Sequence, residues 1–213
     1  MEPAALAAPA TASPGVATAC VVAAYLLGTF PTALVVGRRR GVDPTRTGSG
    51  NPGATNVART AGRRAGVLTL AGDLAKGAGA AALGWAVGGH GLGVACGLAA
   101  VAGHVLPATR GFRGGKGVAT AVGMAVVLFP LATLVAGLAF AAATAASRTV
   151  SLGSIVGAAV LPVAAAALGA PGREVAALVA CAALVVARHR GNIVRLARGE
   201  ERRLPGVVWP PRQ

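Results

Sequence analysis

Long apolar runs alternate along this chain with short gaps that hold most of its charged residues. The main runs span about 16–37, 66–88, 91–107, 118–147, 150–170 and 173–188. A helix that crosses a bilayer needs about 20 mostly apolar residues, and most of these runs approach or exceed that length. The pattern therefore predicts an all-α, polytopic integral membrane protein.

The basic residues predict how these helices are oriented. They cluster in the gaps 38–64 and 108–117 and in the tail after 188, and the positive-inside rule places all three regions in the cytoplasm. Since the tail after 188 is inside, the runs 150–170 and 173–188 cross the membrane outward and back. The run 118–147 therefore begins and ends inside, as two short crossings that turn near Pro130. The predicted topology is seven transmembrane helices, N-out and C-in. One long tilted helix over 118–147, giving six crossings, is the alternative.

The two ends of the chain are distinguished from its middle by composition. We expect a single transmembrane domain over 16–203, an extension without regular structure over 1–15 and a short tail over 204–213. The extension carries Glu2 and no basic residue, whereas a signal peptide begins with positive charge. The first apolar run is therefore interpreted as a helix that stays in the protein.

Composition narrows the class of function. Charged residues make up only 12% of the chain and mean hydropathy is +0.67, whereas soluble domains carry about 25% charged residues. The net charge of +14 could suggest a nucleic-acid partner, but the two basic gaps contain a single aromatic residue, Phe112, for bases to stack on. Cys20, Cys96 and Cys181 lie inside apolar runs without a CxxC or a histidine at ligand spacing. We expect no nucleic-acid partner, no metal and no cofactor.

Lysine usage singles out one loop. The chain has eighteen arginines but only two lysines, and one of these, Lys116, lies among the glycines at 114, 115 and 117. An ammonium is a compact point charge that suits a phosphate oxygen, and glycines allow backbone N–H groups to approach the same anion. The loop is thus a candidate phosphate site, with a flexible basic loop as the alternative.

The first basic gap predicts a short capped helix. Asn51 followed by Pro52 is typical of an N-cap and first helical residue, and Gly62 would end the helix. Thr55 and Arg59 would then share a face with Asn51. A helix N-terminus preceded by serine and glycine favours anions. A plain juxtamembrane helix is the alternative.

The basic tail contains polar residues at helical contact spacing. His189 and Asn192 stand i, i+3, and Arg195 is one further step along that face. A basic tail usually anchors a protein to lipid headgroups, but His and Asn at this spacing are not explained by that role. No acid stands five residues after a histidine, and no G-x-S-x-G elbow is present. Chemistry here would depend on electrostatics and positioning.

Three stretches resemble the signature motifs of the bacterial PlsY-type glycerol-3-phosphate acyltransferases. In chain order they are Ser49-Gly50-Asn51-Pro52-Gly53-Ala54-Thr55-Asn56 with Arg59, Gly103-His104 with Gly114-Gly115-Lys116-Gly117-Val118-Ala119-Thr120, and Arg188-His189 with Asn192-Ile193 and Arg195-Leu196. The stretches Gly72 to Gly77 and Ser151 to Ile155 are also similar to that family. Departures are the Gly111-Phe112-Arg113 segment, where the family more often has Phe-Lys, and the extended N-terminus.

The resemblance implies an enzyme of a bacterial plasma membrane with its active site at the cytoplasmic face. It would transfer a fatty acyl group from acyl phosphate to the 1-hydroxyl of sn-glycerol-3-phosphate, with membrane lipid around it and no obligate protein partner. The products would be lysophosphatidic acid and inorganic phosphate, in the first step of phospholipid synthesis. The implied catalytic residues are Ser49, Arg59, Lys116, His189 and Asn192. The implied substrate-binding residues are Gly50, Asn51, Gly53, Thr55, Asn56, Lys76, His104, Gly114, Gly115, Gly117, Ser151 and Arg195.

Two other functions are compatible with a basic membrane protein. A transporter for organic phosphates would place polar groups near the bilayer midplane and show two related halves, whereas here only Asp73 and Lys76 lie away from the basic face. A lipid-binding scaffold would not need three separate polar motifs. The clustering of those motifs favours the enzyme.

Overall fold

The computed structural model describes residues 12–204, and within them the regular structure is helical. Residues 1–11 of the predicted extension and 205–213 of the predicted tail lie outside this range. The extension is shorter than predicted, because the first helix already begins at Pro14, with Ser13 as its N-cap. A 3-10 turn covers Ala108–Arg110. The α-helices are α1 (Pro14–Thr29), α2 (Thr32–Arg38), α3 (Ala54–Ala61), α4 (Arg63–Val105), α5 (Val118–Leu128), α6 (Pro130–Ser147), α7 (Val150–Ala167), α8 (Gly172–Arg188) and α9 (Arg190–Ala197).

The all-α class is confirmed, and four stretches are long and apolar enough to cross a membrane. They are Pro14–Arg38, Arg63–Arg110, Pro130–Ser147 and Val150–Ala167, and α8 with α9 forms a fifth candidate bent by 59°. At 1.5 Å per residue, the eleven residues of α5 reach only about 16 Å, half of a bilayer core. Seven crossings and the N-out, C-in orientation stay a prediction.

Two breaks in the helices lie where the sequence predicts them, and a third was not predicted. The chain leaves helical geometry at Gly88 and Gly89, which divides α4 into a first and a second arm. It does so again at Phe129, just before the predicted turn at Pro130. The run 16–37, however, is two helices, because the chain opens at Phe30 and Pro31 between α1 and α2. Proline lacks the backbone donor that would continue the helix.

The described residues divide into two compact units, 12–130 and 131–204. In the first, α1 and α5 both pack on α4. The contacts are close because a side chain at Gly28 would overlap the backbone of Ala100, and one at Gly77 would overlap the backbone of Thr120. Small residues bring apolar helices together in this way where no aqueous hydrophobic effect operates between them.

The second unit is built on the pair α7 and α8, with α9 packed against both. Its buried residues include Leu161, Leu178 and Cys181. The chain end folds back within this unit, where the Leu204 N–H donates to the Arg148 carbonyl. That return brings the segment after α9 close to the start of α7.

Candidate active site

A buried ion pair lies on the first arm of α4. Asp73 and Lys76 are one helical turn apart, and Asp73 Oδ1 is 2.9 Å from Lys76 Nζ. Both side chains are almost fully buried, at 3% and 4% exposure. A charged group inside a membrane helix is costly unless it is paired, so this pair indicates a functional or structural requirement at this depth.

Lys76 reaches across the first unit to two further acceptors. Its ammonium lies 2.7 Å from His104 Nδ1 on the second arm of α4 and 3.2 Å from the Phe30 carbonyl at the break between α1 and α2. With Asp73, these account for all three donors of an ammonium group. The break at Phe30 and Pro31 therefore supplies a carbonyl that a continuous helix would have used internally.

The glycine loop around Lys116 rests on His104. The Gly115 N–H donates to the His104 carbonyl at 3.1 Å. A side chain at Gly114 would overlap the His104 backbone, and one at Gly115 would overlap the imidazole at Nε2. Only glycine therefore allows this approach. Lys116 follows directly, half-buried at the end of the loop.

A small cavity opens beside this cluster. Among the residues that line it are Asp73, Lys76, His104, Thr32 and Arg110. Thr32 Oγ1 and Arg110 Nε are buried there without a hydrogen-bond partner in the described part of the chain. Buried polar atoms normally have partners, so these two atoms can still form hydrogen bonds with a bound molecule. The cations Lys76 and Arg110 line the same cavity.

The first basic gap folds around one amide. Asn56 is 2% exposed, donates from Nδ2 to the carbonyls of Pro44 and Thr47, and accepts the Ser49 N–H at Oδ1. Gly48 has φ +64°, and a side chain there would overlap this amide. Asn56 thus determines the shape of the loop that presents Ser49.

The predicted start of the helix in this gap is wrong. α3 begins at Ala54 with Gly53 as its N-cap, and it ends at Gly62 as predicted. Asn51 and Pro52 precede the helix, because Gly53 adopts the extended conformation that an N-cap requires. Thr55 and Arg59 lie on α3, one turn apart and exposed.

In the second unit His189 lies at the bend between α8 and α9. Its ring is 2% exposed, and Nδ1 is 2.8 Å from the Val185 carbonyl. A carbonyl only accepts, so His189 Nδ1 carries the hydrogen and the neutral ring has its lone pair on Nε2. The backbone thereby selects the tautomer of this histidine.

A carboxylate after α9 gathers three of the residues implied by the resemblance. Glu201 accepts from Ser151 Oγ at 3.0 Å and Asn192 Nδ2 at 2.7 Å through Oε1, and from Arg195 Nε at 2.8 Å through Oε2. Burial by itself would raise the pKa of Glu201, but the hydrogen bonds from Asn192, Arg195 and Ser151 outweigh it and hold the pKa below its usual range. The carboxylate is therefore ionised at neutral pH and orients all three side chains.

Each unit thus brings together a subset of the predicted site. The first unit joins Lys76 and His104 with the glycine loop, and it places Ser49 on a separately ordered loop. The second joins Ser151, Asn192 and Arg195. Asp73 and Glu201 were missed as site residues. An acid inside an apolar run was a usable signal for Asp73, whereas nothing in the local sequence distinguishes Glu201 from Glu200.

Comparison with known proteins gives a consistent result. A family model described as "Glycerol-3-phosphate acyltransferase" matches residues 18–199. A glycerol-3-phosphate acyltransferase from Trichlorobacter lovleyi is 44% identical over 182 residues, which cover 85% of this chain and 94% of that protein. One from Myxococcus xanthus is 46% identical over 190 residues, covering 87% and 98%.

Two solved structures share the fold. The crystal structure of PlsY, an integral membrane glycerol 3-phosphate acyltransferase, in its glycerol 3-phosphate form has a TM-score of 0.84 and 36% identity, covering 90% of this chain and 96% of that one. Its lysophosphatidic acid form has a TM-score of 0.82 over the same shares. The expected fold class and membrane location agree with these similarities.

Proposed function

The chain belongs to the family of PlsY-type glycerol-3-phosphate acyltransferases, integral membrane enzymes of phospholipid synthesis, and from that premise we propose that its acyl donor is an acyl phosphate. The 1-hydroxyl of sn-glycerol-3-phosphate attacks the acyl carbon, and the bond from that carbon to the phosphate oxygen breaks. Inorganic phosphate leaves with the electron pair, and lysophosphatidic acid remains.

The observation that carries this proposal is the glycine loop anchored on His104 beside a cavity with unused polar capacity. Both substrates are phosphate esters or anhydrides, so the site must hold two anionic groups close to each other. A lysine among glycines gives one anion a point charge and nearby backbone donors. The long apolar helices of the same unit supply the surface that a fatty acyl chain requires.

We assign the remaining residues of the first unit to the same task. Lys116 and Arg59 would neutralise phosphate charge, and Ser49 would donate a hydrogen bond. Backbone groups near Ser49 and on the glycine loop would complete the anion contacts. The backbone and side-chain contacts proposed here involve Gly50, Asn51, Gly53, Thr55, Asn56, Gly114, Gly115 and Gly117. Lys76 and His104 line the cavity.

The resemblance assigns four residues of the second unit to catalysis and substrate binding. His189 and Asn192 are the proposed catalytic residues, and Ser151 and Arg195 the proposed substrate contacts. Glu201 holds three of these four side chains in defined orientations. We propose that His189 orients the glycerol substrate by accepting a hydrogen bond from its 2-hydroxyl, and that a substrate phosphate accepts the proton of the attacking 1-hydroxyl. Phosphate is a good leaving group, so positioning and electrostatics supply the rate.

The proposed setting is a bacterial plasma membrane with the reaction at the cytoplasmic face, which is where the positive-inside rule places the basic segments. No cofactor, nucleic acid or obligate protein partner takes part in the proposed reaction. The nearest functional alternative, a transporter of organic phosphates, would move its substrate without changing it.

The experiment that tests the donor uses detergent-purified protein and radiolabelled glycerol-3-phosphate. Palmitoyl phosphate and palmitoyl-CoA are supplied in separate reactions, and both lysophosphatidic acid and inorganic phosphate are measured. The proposal requires equimolar formation of both products from palmitoyl phosphate alone. Turnover with palmitoyl-CoA but not with palmitoyl phosphate would overturn it. Lys116→Met is the matched inactive control.

A further inference from the structure

The hydrogen-bond pattern at Lys76 determines which nitrogen of His104 carries hydrogen. An ammonium has three donors and no acceptor, and its Nζ is 2.7 Å from His104 Nδ1. A hydrogen on Nδ1 would place two donors against each other at that distance. His104 Nδ1 therefore accepts, and the neutral ring carries its hydrogen on Nε2.

The Asp73 carboxylate lies closer to the ammonium of Lys76 than to the ring of His104. The distance from Asp73 Oδ1 to His104 Nδ1 is 3.6 Å, which is beyond a hydrogen bond. The carboxylate instead lies 2.9 Å from the ammonium and balances its charge in an apolar span. Removing one partner of a buried pair leaves an uncompensated charge. The charged form of Lys76 therefore depends on Asp73, and the tautomer of His104 depends on the ammonium of Lys76.

The opposite side of the His104 ring faces the phosphate loop. A side chain at Gly115 would overlap Nε2, so the loop backbone approaches this side of the ring closely. The same ring lines the cavity with Thr32 and Arg110. Because Nδ1 is already bonded to Lys76, Nε2 is the ring nitrogen that can donate to a phosphate oxygen in this cavity.

We propose that Asp73 is a positioning residue for acyl transfer: through Lys76 it holds His104 as the Nε2–H tautomer, which donates to a substrate phosphate oxygen. This rests on the proposed function. It gives Lys76 a role through His104 in place of the direct substrate contact that the sequence resemblance implies, because its three donors already have acceptors within the chain. The phosphate could belong to either substrate.

The tautomer can be measured on the wild-type protein. The chain contains only three histidines, His90, His104 and His189, so ¹⁵N-histidine labelling in nanodiscs gives few signals, and His104→Gln assigns the one of interest. The proposal requires a bare Nδ1 and a protonated Nε2 at neutral pH. A His104 signal with hydrogen on Nδ1 overturns it.

Kinetics then separate positioning from plain structural support. Asp73→Asn should lower kcat by about 10–100-fold, the size seen when a residue that orients a functional histidine is lost. In a His104→Gln background the same change should cost less than about threefold, because residues that act through one contact are not additive. Equal losses in both backgrounds would show that Asp73 does not act through His104 and would overturn the proposal.

Two features keep this test distinct from that of the proposed function. Asp43→Asn is the matched control, since Asp43 is the other aspartate and lies in a loop outside the helices; its kcat and the His104 signal should be unchanged. If wild-type protein made no product from acyl phosphate, the donor assignment would fail, and the cycle would be repeated with the donor that is used. Substrate titrations distinguish the two phosphates: Asp73→Asn raises the KM of the one that His104 contacts.

Discussion

The two histidines His104 and His189 are both buried in the described chain but are held in opposite ways. His104 accepts at Nδ1 from the ammonium of Lys76, whereas His189 donates from Nδ1 to the carbonyl of Val185. The neutral ring of His104 therefore has its N–H on Nε2, and that of His189 has its lone pair there. The first suits an anionic oxygen, and the second suits the hydrogen of a hydroxyl.

The carboxylates of the two units come from different places in the chain. Asp73 lies on the same helix as Lys76, so the cluster of the first unit depends on the geometry of α4. Glu201 follows α9 and reaches back to Ser151, fifty residues earlier. The second cluster therefore depends on the chain end folding back, and we expect it to be the easier one to disrupt.

The largest effect is expected where the positive charge is least replaceable. Lys116→Met should reduce turnover by at least about 10²–10³-fold, the cost of removing one electrostatic donor from a reacting group. Lys116→Arg should restore little, because a forked guanidinium cannot replace a point charge packed among glycines. The measurements are turnover and melting temperature of both Lys116 variants. Near-normal turnover by Lys116→Arg, with melting temperatures unchanged in both variants, would contradict the need for a point charge.

The next effect tests the lone pair assigned to His189. His189→Ala should lower kcat by about 10²-fold, within the range of a positioned acid–base group, whereas His189→Asn should keep measurable turnover because an amide retains hydrogen bonding. The measurement is the pH–rate profile of both variants. Loss of an ionisation near neutrality together with nearly all activity in the Asn variant would make His189 the base.

A smaller loss is expected from the carboxylate of the second unit. Glu201→Ala removes the acceptor of Ser151, Asn192 and Arg195 and should lower the free energy of unfolding by about 1–3 kcal/mol, with roughly tenfold lower activity. Glu200→Gln is the matched control, because Glu200 is exposed. Equal melting temperatures for Glu201→Ala and Glu200→Gln would show that the network does not stabilise the chain end.

These two clusters also show what the sequence could predict. The apolar runs predict the helical class and most of the helix positions, because burial in lipid requires long apolar helices. The break at Phe30 and Pro31 was not predicted, although proline is a known breaker, because the run continues apolar on both sides. The break leaves the Phe30 carbonyl as an acceptor for Lys76, and this contact depends on the tertiary structure.

The site residues divide in the same way. Lys116, His189 and Asn192 are candidates that local spacing and residue usage select, and their roles stay predictions. Asn51 was wrongly given the N-cap, because local preference favoured it over Gly53, the residue that has the extended conformation. Glu201 could not be selected, since its role depends on the return of the chain end, and that is a tertiary contact with no local signature.

The smallest expected effect is the pH dependence of the second cluster. The pKa of Glu201 is lowered in the folded state, so its contribution to stability is complete above the usual glutamate pKa of about 4.3 and is lost as pH falls through the folded value. Melting temperatures of wild type and Glu201→Gln should therefore differ at pH 7, and the difference should shrink as pH falls below that usual value. A difference that stayed constant down to pH 3 would contradict the assignment.

The central claim, acyl transfer with inorganic phosphate as the leaving group, is tested most directly by isotope position. Palmitoyl phosphate carrying ¹⁸O at the oxygen that bridges carbon and phosphorus is given to the purified enzyme with glycerol-3-phosphate. Attack at the acyl carbon sends all of the ¹⁸O into inorganic phosphate and leaves the lysophosphatidic acid unlabelled, which is the predicted result. Recovery of the ¹⁸O in free palmitate would mean attack at phosphorus and would contradict the account.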